Sequence, residues 1–258
     1  MIPKTIHYCW FGRNPKPALA QKCIQSWKKH CPDYTIMEWN EDNYDISSAP
    51  LYVRQAYGAK KWAFVTDYVR LHVVHDHGGI YMDTDVELKK NPDALLEYSA
   101  YFGFEDGQYV NTGLGFGAIP GHPILKEIMA DYEGIPFINE DGSINTETCP
   151  IRNTKVLLRH GLRQDDSRQV LAGDVLILPS IYLCPLSYYS GERKRSSKTI
   201  SIHWFGASWK TEAERTAHKK RIIRDRIDYI LHIPHRLIRN LLGDRIYENL
   251  KKLLKRGR

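Results

Sequence analysis

The sequence lacks the patterns that would direct it into a membrane or a secretory pathway. It contains no run of about 18 apolar residues and no apolar stretch of signal-peptide length near residue 1. Its five cysteines are odd in number, form no C-x-x-C pair and do not flank histidines at zinc-finger spacing. We therefore expect free thiols and a cytoplasmic location.

The main part of the chain also lacks an excess of basic residues. The formal net charge of +7 originates in residues 210–258, which hold 15 lysines and arginines against 6 acidic residues. Residues 1–209 hold 22 basic and 24 acidic residues. A nucleic-acid-binding protein would carry its basic residues on the folded body. We therefore expect no nucleic-acid partner.

The composition is typical of a folded protein, because 42% of the 258 residues are hydrophobic and 26% are charged. Residues 5–11 and 34–39 are predicted to be strands, and the segment between them has a helical pattern. This alternation predicts an α/β protein with a mostly parallel sheet, whose ligands bind at the carboxyl ends of the strands. Further strands are predicted at 101–104, 113–118, 175–178 and 199–203, and further helices at 123–132 and 153–160.

A helix and a short strand lead into an acidic tripeptide. Apolar residues recur every three or four positions over residues 60–77, which predicts a helix that ends at Gly78-Gly79. Residues 80–82 form a short apolar strand, and Asp83-Thr84-Asp85 follows directly. Two carboxylates at the end of a strand can converge on one hard cation and leave positions open for phosphate oxygens. We therefore predict a Mn²⁺ or Mg²⁺ site here.

The surroundings of this tripeptide resemble a known family. Residues 63–70 and 78–85 resemble the DXD sugar-binding region of family 32-like glycosyltransferases, which are related to yeast initiating α-mannosyltransferases and to large glucosylating toxins. Capsular and surface-polysaccharide transferases belong to the same group, and the resemblance extends through residues 2–12, 111–113 and 203–209. It implies a GT-A type, Rossmann-like nucleotide-sugar-binding domain with a mixed central sheet over residues 1–209. Basic amphipathic helices would follow over residues 210–258.

The resemblance also implies roles for single residues. The catalytic residues would be Asp67, Arg70, Asp83 and Asp85. The metal ligands would be Asp83, Asp85 and His203. The nucleotide-sugar would contact Trp10, which would stack on the base, and also Asp67, Arg70, Tyr81, Asp83, Thr84, Asn111, Ser208 and Trp209.

Several of these residues have a structural alternative. Trp10 and His203 could be core residues, and Asn111 could shape a turn. Asp67 and Arg70 could form an ion pair on a helix surface, which would contribute little. His7 could bond a backbone group near the base pocket, but a structural role is favoured. The three histidines of residues 72–77 are expected to be surface or core residues because their spacing mixes helix faces.

Together these features indicate a metal-dependent transferase that moves a hexosyl group from a nucleotide-diphosphate sugar, predicted to be a UDP-sugar. The family resemblance implies that the transfer retains the anomeric configuration. The acceptor would be a hydroxyl of a surface glycan or a lipid-linked oligosaccharide. Two alternatives remain open. In a D-x-D phosphatase or phosphomutase, Asp83 would be the nucleophile and Asp85 the general acid, although more than 80 residues precede the motif here. The second alternative is a module that binds a nucleotide-sugar without turnover.

The segment after residue 209 has apolar residues at helical spacing among many lysines and arginines. Such a helix can lie on an anionic lipid surface, with its apolar face in the interface. It can equally pack on the catalytic domain or on a partner. The first reading would place the protein peripherally on the inner face of the cell membrane.

Overall fold

A computed structural model describes residues 1–206, 213, 216–217 and 220–224. Residues 1–188 and 192–206 belong to one compact unit. None of the helices in the described ranges is long and apolar enough to cross a bilayer. The predicted boundary at residue 209 and most of the tail beyond it lie outside this description and stay predictions.

The chain alternates between strands and helices. The strands are β1 (Thr5–Cys9), β2 (Thr35–Trp39), β3 (Gly79–Tyr81), β4 (Val86–Leu88), β5 (Ala100–Glu105), β6 (Tyr109–Val110), β7 (Phe116–Ala118), β8 (Gln169–Leu171), β9 (Val175–Leu178) and β10 (Ser201–His203). The α-helices are α1 (Ala18–His30), α2 (Leu51–Gly58), α3 (Trp62–His77), α4 (Pro123–Ala130), α5 (Cys149–Arg159) and α6 (Ser180–Leu183). Short 3₁₀ turns occupy Ile46–Ser48, Asp93–Leu95 and Thr112–Leu114.

The central sheet is mixed, with the strand order β2-β1-β3-β7-β5-β9-β8 and β6 beside β5. β1 is parallel to β2 and β3, and β5 is parallel to β9. β7 is antiparallel to both β3 and β5, and β8 is antiparallel to β9. The α/β class and the mixed sheet are confirmed, whereas a mostly parallel sheet is wrong. Short connections, such as those from β5 to β7 and from β8 to β9, reverse the chain direction and give antiparallel pairs.

One edge of this sheet collects the predicted site residues. β1, β3 and β5 run in the same direction, so their carboxyl ends meet at the same edge. Trp10 follows β1, Asp83 follows shortly after β3, and Glu105 ends β5. The turn before β7 lies there too, because β7 runs the opposite way. Ligand binding at the carboxyl ends of strands is the common arrangement in open α/β sheets.

Most predicted elements are present, and one differs in an informative way. The helices near 60–77, 123–132 and 153–160 and the strands near 34–39, 101–104 and 175–178 are confirmed. The predicted strand over 113–118 begins as a 3₁₀ turn and becomes a strand only at Phe116. The side chain of Asn111 causes this, because its Oδ1 accepts a hydrogen bond from the Gly113 N–H at 2.6 Å.

His7 joins β1 to β2 and to the end of α3 inside the core. Its Nδ1 accepts a hydrogen bond from Trp39 Nε1 at 3.0 Å, and its Nε2 lies 2.8 Å from the carbonyl oxygen of Gly78. An indole N–H can only donate, so the imidazole carries its proton on Nε2 and is neutral. Burial lowers the pKa of His7 to about 4. His7 is therefore a buried structural residue, as the sequence favoured, and its backbone partner Gly78 ends α3 at φ +65°.

Acid should destabilise the fold through His7. In the unfolded chain this histidine takes up a proton near pH 6.5, whereas in the folded chain it does so only near pH 4. Its stabilising contribution is thus complete above pH 6.5 and is lost as the pH falls toward 4. The loss at about pH 5 should be about 2 kcal/mol relative to about pH 7.5.

Urea unfolding of the wild type and of His7→Gln at these two pH values measures the effect. Glutamine offers one donor and one acceptor but does not titrate, so the variant should lack this part of the pH dependence. The same pH dependence in both proteins would contradict the assignment.

Candidate metal centre and its surroundings

The acidic tripeptide forms a tight turn between β3 and β4. The Asp83 N–H donates to the carbonyl oxygen of Gly113 at 3.1 Å, and the Val86 N–H donates to the carbonyl oxygen of Asp83 at 2.9 Å. The side chains of Asp83 and Asp85 keep 27% and 20% of their surface exposed. Backbone hydrogen bonds therefore fix the turn, and both carboxylates remain accessible from solvent.

His203 reaches this turn through strand pairing. β10 is antiparallel to β4, and His203 lies opposite Val86, the residue after Asp85. Its Nε2 is 3.1 Å from Asp85 Oδ1, while Asp85 Oδ2 accepts the Gly206 N–H at 2.7 Å. Ligand atoms of Asp83, Asp85 and His203 all lie within 4.8 Å of one another. The three predicted metal ligands are thus brought together.

Asp85 and His203 control each other's charge. Burial alone would raise the pKa of Asp85, but His203 and the Gly206 N–H outweigh it and the pKa is lowered. Burial alone would lower the pKa of His203, but the Asp85 carboxylate raises it well above its ordinary value. The pair is therefore an imidazolium beside a carboxylate. A divalent cation bound to the same two side chains would take the place of that proton.

Arg70 links the helix α3 to the tripeptide. Its Nη2 lies 3.1 Å from Asp67 Oδ1 and 3.2 Å from Asp83 Oδ1, and its guanidinium lies over the ring of Tyr81. The Tyr81 hydroxyl donates to the same Asp83 oxygen at 3.0 Å. Only 4% of the Arg70 side chain is exposed. The alternative of a surface ion pair is therefore wrong, because α3 buries this pair against the sheet.

The centre has more negative than positive charge. Burial raises the pKa of Asp83 and, to about 6, that of Asp67, while Arg70 opposes both shifts. Burial would lower the pKa of Arg70, but Asp83 and Tyr81 raise it well above its ordinary value. The centre includes four carboxylates, on Asp67, Asp83, Asp85 and Glu105, and two cations, on Arg70 and His203. Arg152 also acts on Asp67, and Asp106 acts on Glu105. This charge balance and the O,O,N donor set fit a hard divalent cation.

Asn111 and Gly113 shape the wall next to Asp83. Besides capping Gly113, the Asn111 side chain donates from Nδ2 to Glu105 Oε2 at 2.6 Å. A Cβ on Gly113 would lie 3.0 Å from Arg70 Nη1 and closer still to Asp83 Oδ2. Any larger side chain at position 113 would therefore displace the Asp83 carboxylate. Asn111 therefore shapes a turn, which is the structural role considered for it from the sequence. Its contact with a ligand stays a prediction.

The remaining predicted ligand contacts differ in accessibility. Trp10 is partly exposed, and its Nε1 donates to the Asn14 carbonyl oxygen at 2.6 Å. Tyr81 is 1% exposed and its hydroxyl donates a hydrogen bond to Asp83, so it contacts the centre from the protein core. Thr84 is partly exposed within the turn. Ser208 and Trp209 lie outside the described residues, and the roles of all of these residues stay predictions.

Two residues that the sequence did not single out also belong to this region. Glu105 shares the strand-end position of Asp83, and burial raises its pKa. Cys149 begins α5, and its Sγ lies 3.9 Å from Arg70 Nη1 and 3.6 Å from Asn111 Oδ1. The strand-end rule could have found Glu105. No spacing pattern indicates Cys149, since it comes from an element 64 residues beyond Asp85.

The three histidines of residues 72–77 take no part in the metal centre. The Nδ1 of His72 lies 2.8 Å from the Tyr44 hydroxyl, and His75 Nδ1 lies 2.8 Å from Asp76 Oδ1. His77 stacks on Trp39 with the ring centroids 5.2 Å apart. The expectation of surface or core positions is confirmed.

Comparison with known proteins identifies the segment that holds the tripeptide. Residues 17–102 match the family described as the glycosyltransferase sugar-binding region containing the DXD motif. This match covers 86 of the 258 residues, about a third of the chain. This region includes Asp67, Arg70, Asp83 and Asp85, whereas Trp10, Asn111 and His203 lie outside it.

Relatives of known sequence or structure carry related names. The chain is 25% identical over 143 residues to inositol phosphoceramide mannosyltransferase 3 of Schizosaccharomyces pombe. The aligned part makes up 53% of this chain and 38% of that protein. It is 25% identical over 202 residues to an uncharacterized glycosyltransferase of Acanthamoeba polyphaga mimivirus, with 74% and 76% covered. The solved PaToxG glycosyltransferase is 19% identical over 61% of this chain and 69% of that one, with a TM-score of 0.47. The chain thus spans about two fifths of the length of the yeast relative.

Replacing Gly113 should damage the metal centre without damaging the fold. In Gly113→Ala the added methyl group must displace Asp83 or Arg70, so affinity for Mn²⁺ should fall about tenfold or more. Isothermal titration with Mn²⁺ measures this, and far-UV circular dichroism checks the fold. The control is Gly58→Ala, because no atom lies within 4 Å of the added methyl group there. Equal Mn²⁺ affinity in the two variants would show that Asp83 does not bind the ion.

Proposed function

We propose that this protein is a retaining glycosyltransferase that moves a hexosyl group from a nucleotide-diphosphate sugar, first of all a UDP-sugar, to a hydroxyl group. The observation that supports it most is the convergence of Asp83, Asp85 and His203, whose ligand atoms lie within 4.8 Å of one another. Asp83 and Asp85 belong to the segment that matches the DXD sugar-binding family. The position of the centre at the carboxyl edge of a mixed α/β sheet agrees with a GT-A type domain.

In this proposal Asp83, Asp85 and His203 hold Mn²⁺ or Mg²⁺. The bound ion would neutralise charge on the diphosphate leaving group. Asp67 and Arg70 would bind the sugar and its neighbourhood, and Trp10 would stack on the base. Arg70 also keeps Asp83 in place, since its guanidinium reaches both carboxylates. No side chain is assigned as a covalent nucleophile.

The proposed acceptor is a surface glycan or a lipid-linked oligosaccharide. The relatives that are named inositol phosphoceramide mannosyltransferases support a lipid-linked acceptor, and they make GDP-sugars the second class of donor to test. An enzyme with such an acceptor would work at the inner face of a membrane. The basic residues 210–258 are proposed to bring it there.

The reaction can be tested without knowing the acceptor. A panel of UDP- and GDP-sugars should include one that is hydrolysed in the presence of Mn²⁺, with release of free UDP or GDP. Asp85→Asn should lower that rate by at least about a hundredfold, because it removes charge and a ligand at the leaving group. Asp76→Asn is the matched control, as Asp76 is an exposed carboxylate on α3 that pairs only with histidines among the described residues.

A wild-type rate in Asp85→Asn would refute the site. Tight binding of a nucleotide-sugar without any turnover would favour the binding module instead, and release of inorganic phosphate from a phosphate monoester would favour the phosphatase.

Membrane binding by the tail is tested by flotation with liposomes. Full-length protein should float with vesicles that contain anionic phospholipid, and a chain that ends at residue 209 should not. The attraction is electrostatic, so raised salt should release the full-length protein. Equal flotation of the two chains would contradict a membrane role for residues 210–258.

A further inference from the structure

Trp204 joins the chain after β10 to β4 through both its side chain and its main chain. Its indole Nε1 donates a hydrogen bond to Glu87 Oε2 at 2.8 Å, and its backbone N–H donates to the carbonyl oxygen of Asp85 at 3.0 Å. Two residues later, the Gly206 N–H donates to Asp85 Oδ2 at 2.7 Å. Residues 204–206, which we call the strap, therefore lie directly on the acidic turn.

The strap has a backbone conformation that its sequence does not favour. Phe205, at φ +50°, is in the left-handed region, which is uncommon for residues other than glycine. Its backbone N–H neighbours on both sides donate to Asp85. The Phe205 ring packs against His203, with the centroids 4.2 Å apart, and against Tyr188 at 5.1 Å. Because the left-handed conformation costs free energy, contacts around the strap must hold it in place.

Glu87 is the side chain to which the strap is attached. It lies on β4, two residues after Asp85, and is 8% exposed. Besides the Trp204 indole, it binds Lys89 at 2.6 Å and Lys22, on α1, at 3.2 Å. The Lys22 ammonium also lies 5.1 Å from the Trp204 ring centroid. Glu87 is therefore an ionised acceptor, and such acceptors form stronger hydrogen bonds than neutral ones.

α1 holds β4 in place on both sides of Glu87. Trp27, which is completely buried, donates from Nε1 to the carbonyl oxygen of Val86 at 2.8 Å. Ser26 Oγ accepts the Leu88 N–H at 2.9 Å. The backbone that carries Glu87 is thus bonded to a helix at the residues before and after it. Glu87 therefore gives the strap a rigid support.

We propose that Glu87 is a positioning residue of the metal centre. By accepting the Trp204 indole N–H, Glu87 holds the strap against Asp85. The strap then fixes Asp85 Oδ2 through the Gly206 N–H, and the residue before the strap, His203, stays 3.1 Å from Asp85 Oδ1. Groups that orient metal ligands in this way raise the affinity for the ion. The effect on metal binding rests on the proposed function, whereas the attachment of the strap does not.

Removing the indole hydrogen bond tests the attachment of the strap in the metal-free protein. Trp204→Phe deletes the N–H group and keeps an aromatic ring, while Glu87 keeps both of its lysine partners. The backbone N–H groups of residues 204 and 206 should then exchange with deuterium at least about tenfold faster, because the strap opens more often. Hydrogen exchange followed by NMR measures this. Wild-type exchange at both positions would overturn the proposal.

Tyr34→Phe is the matched control. The Tyr34 hydroxyl donates to Asp93 at 2.5 Å, and Asp93 also binds a lysine, Lys4, at 3.2 Å. Tyr34 directly precedes β2, at the opposite edge of the sheet from the metal centre. This variant also removes a hydrogen bond from an aromatic donor to a carboxylate, and it should leave exchange at Trp204 and Gly206 unchanged. Equally fast exchange in both variants would mean general destabilisation and would contradict the role of Glu87.

Replacing Glu87 tests whether the indole acts through this carboxylate. Glu87→Met removes the acceptor and should speed exchange at residues 204 and 206 as Trp204→Phe does. Combining the two replacements should add less than about twofold, because both break one hydrogen bond. Glu87→Gln keeps an acceptor and should restore exchange to within about threefold of the wild-type rate. Independent, multiplicative effects in the double variant would overturn the proposal.

Metal binding separates positioning of the ligands from support of the fold. Trp204→Phe should weaken Mn²⁺ binding about tenfold in isothermal titration and shift the thermal unfolding midpoint by less than about 2 °C. Tyr34→Phe should bind Mn²⁺ as the wild type does. Wild-type Mn²⁺ affinity in Trp204→Phe, together with faster exchange, would refute the positioning role. Absence of Mn²⁺ binding in the wild type would instead refute the proposed function, and the exchange rates would still decide whether Glu87 holds the strap.

Discussion

The structure of the centre depends on one buried cation, the guanidinium of Arg70. It lies 3.1 Å from Asp67 and 3.2 Å from Asp83 with almost no exposure to solvent. Without Arg70, the Asp67 carboxylate, which is 12% exposed, would lose its neighbouring cation, and a buried charge without one is strongly unfavourable. Arg70 can serve both because α3 places it one turn after Asp67 and packs its face against the sheet beside Tyr81. The pair of contacts ties the helix to the acidic turn.

Around this cation the backbone brings distant parts of the chain together. The parallel pairing of β1 with β3 places the end of the first strand beside the acidic turn. The pairing of β10 with β4 carries His203 next to Asp85, although the two residues are 118 positions apart in the sequence. Gly113 completes the wall, since its missing side chain leaves room for Asp83. Each of these contacts is made by main-chain geometry and leaves the carboxylates accessible.

The sequence predicted the local parts of this centre well and the non-local parts less well. Asp67 and Arg70 are three residues apart on one helix, and Asp83 and Asp85 follow a short apolar strand. Periodicity and strand-end chemistry therefore place these residues, while the resemblance to DXD transferases was needed to single out Asp67 and Arg70. The resemblance to DXD transferases added His203, but not the three-residue strand β4 with which the strand of His203 pairs, because so short a strand has no pattern of its own. Cys149 could not be predicted, since only the packing of α5 brings it near Arg70. The mostly parallel sheet was wrong because the direction of β7 depends on its short connection to β5.

The central claim is that Asp83, Asp85 and His203 hold one divalent ion beside a nucleotide-sugar. Crystals grown with Mn²⁺ and UDP, measured near the manganese absorption edge, test it most directly. The account predicts one anomalous peak in contact with these three side chains, with the diphosphate oxygens on the exposed side of the ion. A bound nucleotide with no peak there, or a manganese ion held by other carboxylates, would contradict it.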